Sequence, residues 1–242
     1  MPLLVSLFGS LAFGFSTYLL IILQVGHNTK ALAISFFPFV IAGVLLLFNK
    51  KWFWGIVLSS LSLGMQIRSN HYQMTYYLFM LIGFFVIFYG YEFYKNKNLK
   101  SFFQSILAIF FSFVFALGFN STPLLATAEY SEFSTRSRSE LKFNADGTLV
   151  YPTSGLNYNY ITEYSYGIFE SLNLIAPRVQ GGGSTENLGK RHGLYDFLIR
   201  NGVNKNEALN FTKNVPTYWG NQPILEAPAY IGITTFFFAL LG

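Results

Sequence analysis

Cysteine is absent from the 242 residues, which excludes disulfides, thiolate metal sites and cysteine nucleophiles and leaves any exported portion to be held by packing. Charge is scarce: 11% of residues are charged, against roughly 25% in ordinary soluble domains. With 52% hydrophobic and 19% aromatic residues, such a chain cannot keep its surface wet everywhere. The net charge of +5 is spread over several loops without a dense basic stripe, so no nucleic-acid partner is expected. Walker loops, the dinucleotide fingerprint and the Gly-x-Ser-x-Gly elbow are lacking too, which disfavours nucleotide phosphate cradling and the common hydrolase nucleophile. His27, His71 and His192 stand too far apart for a spaced metal motif, and neither His-Glu-x-x-His nor an EF-hand pattern occurs. No metal is implied, and the cofactor is left open.

What is present is hydrocarbon in long runs. Residues 3–25 are apolar, uncharged and long enough to cross roughly 30 Å of hydrocarbon as a helix, with Gly9, Ala12 and Ser16 on a small-residue face. Residues 31–48 form a second span with Pro38 inside it, which predicts a kink near residue 37. Residues 52–67 form a third, short span that opens on interfacial aromatics, residues 75–94 a fourth and residues 102–119 a fifth. In the fifth, Ala108, Ser112 and Ala116 recur every four residues, a stripe read as ordinary helix packing. Residues 230–242 supply only thirteen residues of a span that needs about 20, and Met1-Pro2 enters an apolar run without a basic leader. Both ends are therefore expected to be cut from a longer protein.

One polar knot interrupts these runs: Arg68-Ser69-Asn70-His71-Tyr72-Gln73. Polar groups between two apolar helices need water, each other or a ligand, because each unsatisfied group in lipid costs several kcal/mol. The blander reading is a solvated loop. Lys50, Lys51, Lys95, Lys97 and Lys100 belong inside by the positive-inside rule, which places Lys30, Arg68 and the long segment after the fifth span outside. His27, Asn28, the knot and that segment then share a face.

Residues 120–229 hold ten of the eleven acidic residues and read as a folded insertion. Residues 141–151 read as two short strands around Asp146-Gly147. Residues 160–174 read as one aromatic-rich helix, and Gly181-Gly182-Gly183-Ser184 as flexible. Residues 194–200 predict a short helix closed near Gly202, and Asn204 with Glu207 a capping-box-like start to another. The fold class expected is mainly α. It is a polytopic helical bundle of about five full spans plus a truncated sixth, with a mixed α/β extracytoplasmic insertion. Its domains are residues 1–119, 120–229 and 230–242.

Candidate chemistry follows the polar face. Glu129, Tyr130, Glu132, Arg136 and Arg138 come directly after the fifth span, and Glu163, Tyr164, Tyr166 and Glu170 further on. Carboxylates there suit activation of a hydroxyl and arginines suit a phosphate, although solvated ion pairs are the commoner explanation for any one of them. Tyr218-Trp219-Gly220-Asn221-Gln222-Pro223 sets aromatic faces beside amides, which suits a sugar ring or an interfacial belt equally.

These blocks carry a resemblance. Gly26-His27-Asn28, Asn70-His71-Tyr72-Gln73-Met74-Thr75-Tyr76-Tyr77, Glu129 to Arg136, Tyr164 to Glu170, Gly181 to Ser184 and Tyr218 to Pro223 stand in an order that resembles YfhO-like bacterial membrane proteins. That group is related to the GT-C class of multi-spanning glycosyltransferases. The resemblance implies transfer of a sugar from a polyprenyl-phosphate-linked donor to an envelope glycopolymer or lipid acceptor, at the outer face of the bacterial cytoplasmic membrane. It also implies an acidic catalytic residue in an earlier outward loop, which leaves the catalytic base unassigned here. Substrate contacts then fall to His27, Asn70, His71, Gln73 and Tyr76, to Arg136 as a phosphate partner, to Glu129 and Glu170 beside hydroxyls, and to Trp219 and Gln222. Two other readings compete: a transporter or flippase of an envelope precursor, and an extracytoplasmic scaffold.

Overall fold

The computed structural model describes residues 3–131, 133–134, 143, 147–149, 158–225 and 228–241. It is mainly helical and divides into two compact units, residues 27–155 and residues 1–26 with 156–242. Four helical stretches among the described residues are long and apolar enough to cross a membrane: Leu3–Gln24, Asn28–Phe48, Tyr72–Lys95 and Leu99–Phe119.

The first stretch is not one helix. It consists of α1 (Leu3–Gly14) and α2 (Thr17–Gln24), because Ser16 is extended at φ −60°, ψ 137°. The Ser16 N–H turns back to Phe13 O at 3.2 Å, a tightened last turn, directly after a glycine that favours helix poorly. The second stretch is α3 (Asn28–Ser35) followed by α4 (Phe37–Phe48). They join at Phe36, with Pro38 in the first turn of α4, where its missing N–H costs nothing. The helix is interrupted at the position where the kink was expected.

Next come α5 (Trp52–Arg68), α6 (Tyr72–Lys95) and α7 (Leu99–Phe119), so the elements expected at 52–67, 75–94 and 102–119 form as helices. The turns before α5 and α7 close alike. Lys50 N donates to Leu47 O and Lys51 N to Leu46 O, at 3.0 and 2.9 Å. Lys97 N and Asn98 N do the same to Tyr94 O and Phe93 O, at 3.0 and 2.9 Å. These are paired helix-end bonds that need a left-handed residue, which Lys50 (φ 62°) and Lys97 (φ 54°) supply without being glycine.

α5 differs from its neighbours. At 17 residues it is about 26 Å long, short of a 30 Å core, and it is not one of the four apolar stretches. Its buried residues include Gly55, Ser59, Ser60, Ser62 and Gly64, small side chains that let α4 and α7 come close. A Cβ on Gly43 of α4 would lie 2.6 Å from Ser59 N, and one on Gly55 would lie 2.7 Å from Leu47 Cγ. Hydroxyls and one amide satisfy the contact: Ser59 Oγ lies 2.8 Å from Ser112 Oγ, Ser105 Oγ donates to Leu47 O at 3.1 Å, and Asn120 Nδ2 donates to Gly64 O and Ala116 O at 2.9 Å each. α7 buries Ser105, Ala108, Ser112 and Ala116, so its small stripe packs helices as read. The apolar core of this unit is Val40, Val44, Phe48, Leu63, Ile67, Leu78, Ile82 and Ala116. α8 (Ser121–Ser131) follows with no buried residue.

The other unit carries α9 (Tyr158–Thr162), a 3-10 turn at Glu170–Leu174, α10 (Gly193–Arg200), α11 (Lys205–Thr212) and α12 (Ile233–Leu241). Phe8 of α1 meets Phe238 of α12 edge to face at 5.8 Å. Two helix boundaries fall where expected: α10 closes at Gly202 (φ 85°), and Asn204 starts α11, capping it by accepting from Asn206 N at 2.9 Å in place of the expected pairing with Glu207. Two other expectations did not hold. The single helix expected over 160–174 breaks after Thr162, because the Glu170 carboxylate takes the Gly167 N–H at 2.9 Å, a donor a continuous helix would use. The α/β insertion shows no strand among the described residues; isolated antiparallel bridges join Phe143 with Leu149, Gly181 with Tyr218 and Glu186 with Val215. Gly147 has the positive φ (80°) that an Asp-Gly turn requires, while most of the expected hairpin lies outside the described residues.

Candidate functional site

The knot ends one helix and starts the next. Ser69 Oγ and N both return to Met65 O, Asn70 takes a left-handed φ of 55°, and its N–H reaches Ile67 O at 3.0 Å. His71 then occupies the N-cap of α6, as His27 does for α3, and neither makes a side-chain capping bond. The residues of the knot do not satisfy one another. Gln73 Nε2 donates to Tyr77 Oη at 2.9 Å on an exposed face, and Tyr76 and Glu129 are exposed. The partnership missed from the sequence lies one turn inside. Gln66, fully buried, accepts from Thr75 Oγ1 at 3.1 Å, and its Nε2 has no partner among the described residues. An amide within an apolar run was the available signal.

His71 is held below its ordinary basicity first by burial and then by the charge of Lys30, with His27 contributing in the same direction. Within this unit Lys30 and His27 are therefore electrostatic neighbours of His71.

Two adjoining cavities open beside the knot, of about 300 and 470 Å³. Both touch Tyr72, Leu124 and Thr127. Arg68, Asn70 and Asn120 line the first, and Tyr130, Ser131 and Ser134 the second. Thr127, Ser131 and Ser134 donate their hydroxyl protons to backbone carbonyls at 2.7 to 2.8 Å, and the Thr127 and Ser131 oxygens keep lone pairs for a ligand's donors. Arg68 is exposed and makes no ion pair among the described residues. Of the residues singled out from the sequence, Arg68, Asn70, Tyr72 and Tyr130 line this groove, while His27, His71, Gln73, Tyr76 and Glu129 do not. Arg136 lies outside the described residues.

In the other unit, the Tyr164–Glu170 and Tyr218–Gln222 segments form one centre. Glu170 is 2% exposed; its Oε2 accepts from Gly167 N, and Oε1 has no partner among the described residues. Gly220 lies against that oxygen, where a Cβ would be 2.6 Å from Oε1. Gln222 is buried, donating from Nε2 to Tyr164 O at 2.8 Å and from its N–H to Tyr218 Oη at 3.2 Å. Burial, then the charge of Glu170, then Tyr18, push the Tyr166 hydroxyl above its ordinary pKa. Asn173, three residues after Glu170, is fully buried and accepts from Gln180 N at 3.1 Å. A carboxylate this enclosed meets no substrate in this state. Of the three substrate contacts expected here, Glu170 and Gln222 are buried and Trp219, 80% exposed, presents itself to solvent.

Gly181 to Gly183 are pinned, against the expectation of flexibility. Gly182 N donates to Thr217 O at 3.2 Å, Thr217 N and Tyr218 N to Gly183 O at 3.0 and 3.1 Å, and Trp219 N to Gln180 O at 2.8 Å. Arg178 grips Glu186 through two nitrogens at 2.9 and 2.8 Å, and Thr217 Oγ1 donates to the same carboxylate. Those bonds hold Glu186 below its ordinary pKa and raise that of Arg178. Gly181 and Gly182 are required because side chains there would fill the space that the clasp occupies.

Among the described residues no group of three or more histidines and carboxylates is placed to hold a metal. No family model, no curated protein and no solved structure matches this chain.

Proposed function

We propose that this chain is a multi-spanning membrane protein related to the YfhO-like group, which transfers a sugar from a polyprenyl-phosphate donor to a cell-envelope acceptor on the extracytoplasmic face. On this reading α5 is a fifth, protein-enclosed span, and the lysine turns at 50–51 and 95–100 face the cytosol. The observation that supports it is the groove beside the knot. It is a cleft with mixed polar and apolar walls at the end of the apolar helices opposite those lysine turns, lined by the Arg68 guanidinium, which makes no ion pair among the described residues, and by the Thr127 and Ser131 hydroxyl oxygens. Such a cleft fits a phosphorylated sugar. In the transfer, the bond between the anomeric carbon and the phosphate oxygen breaks, a bond to the acceptor oxygen forms, and the acceptor's proton leaves. Arg68 would stabilise the departing phosphate.

The test is reconstitution of the full-length protein with a polyprenyl-phosphate sugar and envelope acceptors. Donor consumption that falls in Arg68→Gln at unchanged expression supports the reading. A wild-type rate in that variant removes the groove from the reaction. A transporter remains the second reading, because the break at Ser16 interrupts an apolar stretch near its middle, as substrate-binding helices of transporters do. Dissipation of a solute gradient without turnover of any donor would favour it.

A further inference from the structure

We propose that the cavity beside the break in the first apolar stretch holds a hydrocarbon chain of a bilayer lipid. The proposal rests on the membrane reading of Leu3–Gln24 and is independent of sugar transfer. The cavity is about 500 Å³, and Ala12, Phe13, Leu174, Ala229 and Ile231 give it walls almost wholly of carbon. Its two sides are tied together, Ile231 N donating to Leu174 O at 2.9 Å. Ser16, Tyr18, Tyr166, Tyr230 and Thr235 also line it but turn almost no polar surface toward the space, and Tyr230 Oη accepts from Ile233 N at 2.8 Å.

Water is a poor occupant of such a space, since a buried water needs two to four polar partners and apolar cavities stay dry or take apolar guests. What lies next to it decides which guest. The stretch Leu3–Gln24 buries little of itself within this unit, and Leu7, Phe8, Leu11 and Leu20 are exposed. In a bilayer those side chains face lipid tails, and the tail nearest the break has an unfilled apolar volume beside it.

The experiment places a tryptophan at Leu174, in the 3-10 turn outside every candidate span, where bulk lipid has no reason to reach. In full-length protein carrying Trp52→Phe, Trp54→Phe and Trp219→Phe, Leu174→Trp is reconstituted into bilayers of phosphatidylcholine brominated midway along its chains. The expected result is loss of most of the emission to bromine and little loss to aqueous acrylamide. Ala12→Phe with Ala229→Leu, which together narrow the cavity from two walls, should lower the quenching with helicity retained. Quenching by acrylamide but not by bromine overturns the proposal, as does bromine quenching that the narrowed variant leaves unchanged. Release of the protein from membranes by alkaline carbonate would overturn the membrane reading as well, whereas retention with acrylamide quenching overturns the occupant alone.

Discussion

Replacing Gly181 with alanine tests whether the glycine run is a clasp or a loose linker. Gly181 has φ 87°, a region that costs an L-residue about 1 to 2 kcal/mol. Its new Cβ would also sit on the carbonyl oxygen of Thr217, a backbone atom that cannot swing aside. Relief requires the two segments to part, which puts at risk the four backbone bonds linking Gln180–Gly183 to Thr217–Trp219. Each is worth about 1 kcal/mol net. Losing two of them with the backbone strain predicts about 3 to 4 kcal/mol of local destabilisation. Gly189→Ala is the control: it shares the positive φ (63°), but its Cβ meets nothing nearer than Asn187 Oδ1 at 3.9 Å. The measurement is hydrogen exchange by mass spectrometry in detergent. Faster exchange at Gly182, Thr217 and Trp219 is expected in Gly181→Ala and absent from Gly189→Ala. If the two variants exchange alike over 180–219, the close approach carries no energy and the argument fails.

Three further outcomes are expected. Gly43→Ala drives a Cβ to 2.6 Å from Ser59 N and should cost about 1 to 3 kcal/mol through overpacking. Gly83→Ala, with nothing within 4 Å, should be neutral or stabilising by up to about 1 kcal/mol, and paired thermal melts in one detergent compare them. Glu186 is held below its ordinary pKa of 4.5, so its contribution is complete above that value and is lost as pH falls through the lower folded value. Hydrogen exchange at Thr217 N, corrected for its intrinsic pH dependence, should therefore accelerate from a pH below 4.5 in the native protein, and Glu186→Gln should show the faster exchange already at neutral pH. His71 is held below 6.5, so its neutral form belongs to the fold and acid costs stability once pH drops under that value. Lys30→Gln should raise the His71 pKa when the ring is followed by NMR, and an unchanged titration would mean that Lys30 is not its neighbour.

Helix positions were legible because long apolar runs carry their own boundaries. Pro38 announced the interruption at Phe36, and the small stripe Ala108, Ser112, Ala116 announced the contact of α7, to which the structure adds Ser105. The break at Ser16 was not legible, since no proline marks it and Ser16 reads equally well as part of a small-residue face. The role of α5 was half legible: its shortness showed, but not that its serines and glycines face protein. The polar segment was least readable. Glu170, Trp219 and Gln222 were singled out as separate contacts, and only the structure shows that Gly167 and Gly220 let their segments close on one another.

That closure changes what the acidic residues of the segment are for. A carboxylate chosen to meet substrate hydroxyls would be solvent-accessible before substrate arrives, as Trp219 is; Glu170, at 2% exposure, is spent on Gly167 N and on the approach of Gly220. Glu186 is likewise taken up by Arg178 and Thr217. Neither is therefore available as a general base without opening its surroundings. By contrast, Arg68 and the hydroxyl oxygens of the groove are exposed or lie on a cavity wall. The prediction is an ordering of kinetic effects. Arg68→Gln should weaken donor use with the fold intact, whereas Glu170→Gln should lower activity only in step with loss of folded protein, measured as specific activity against the monodisperse fraction. Glu170→Gln that stays fully folded yet loses turnover would move the chemistry from the groove to the enclosed carboxylate.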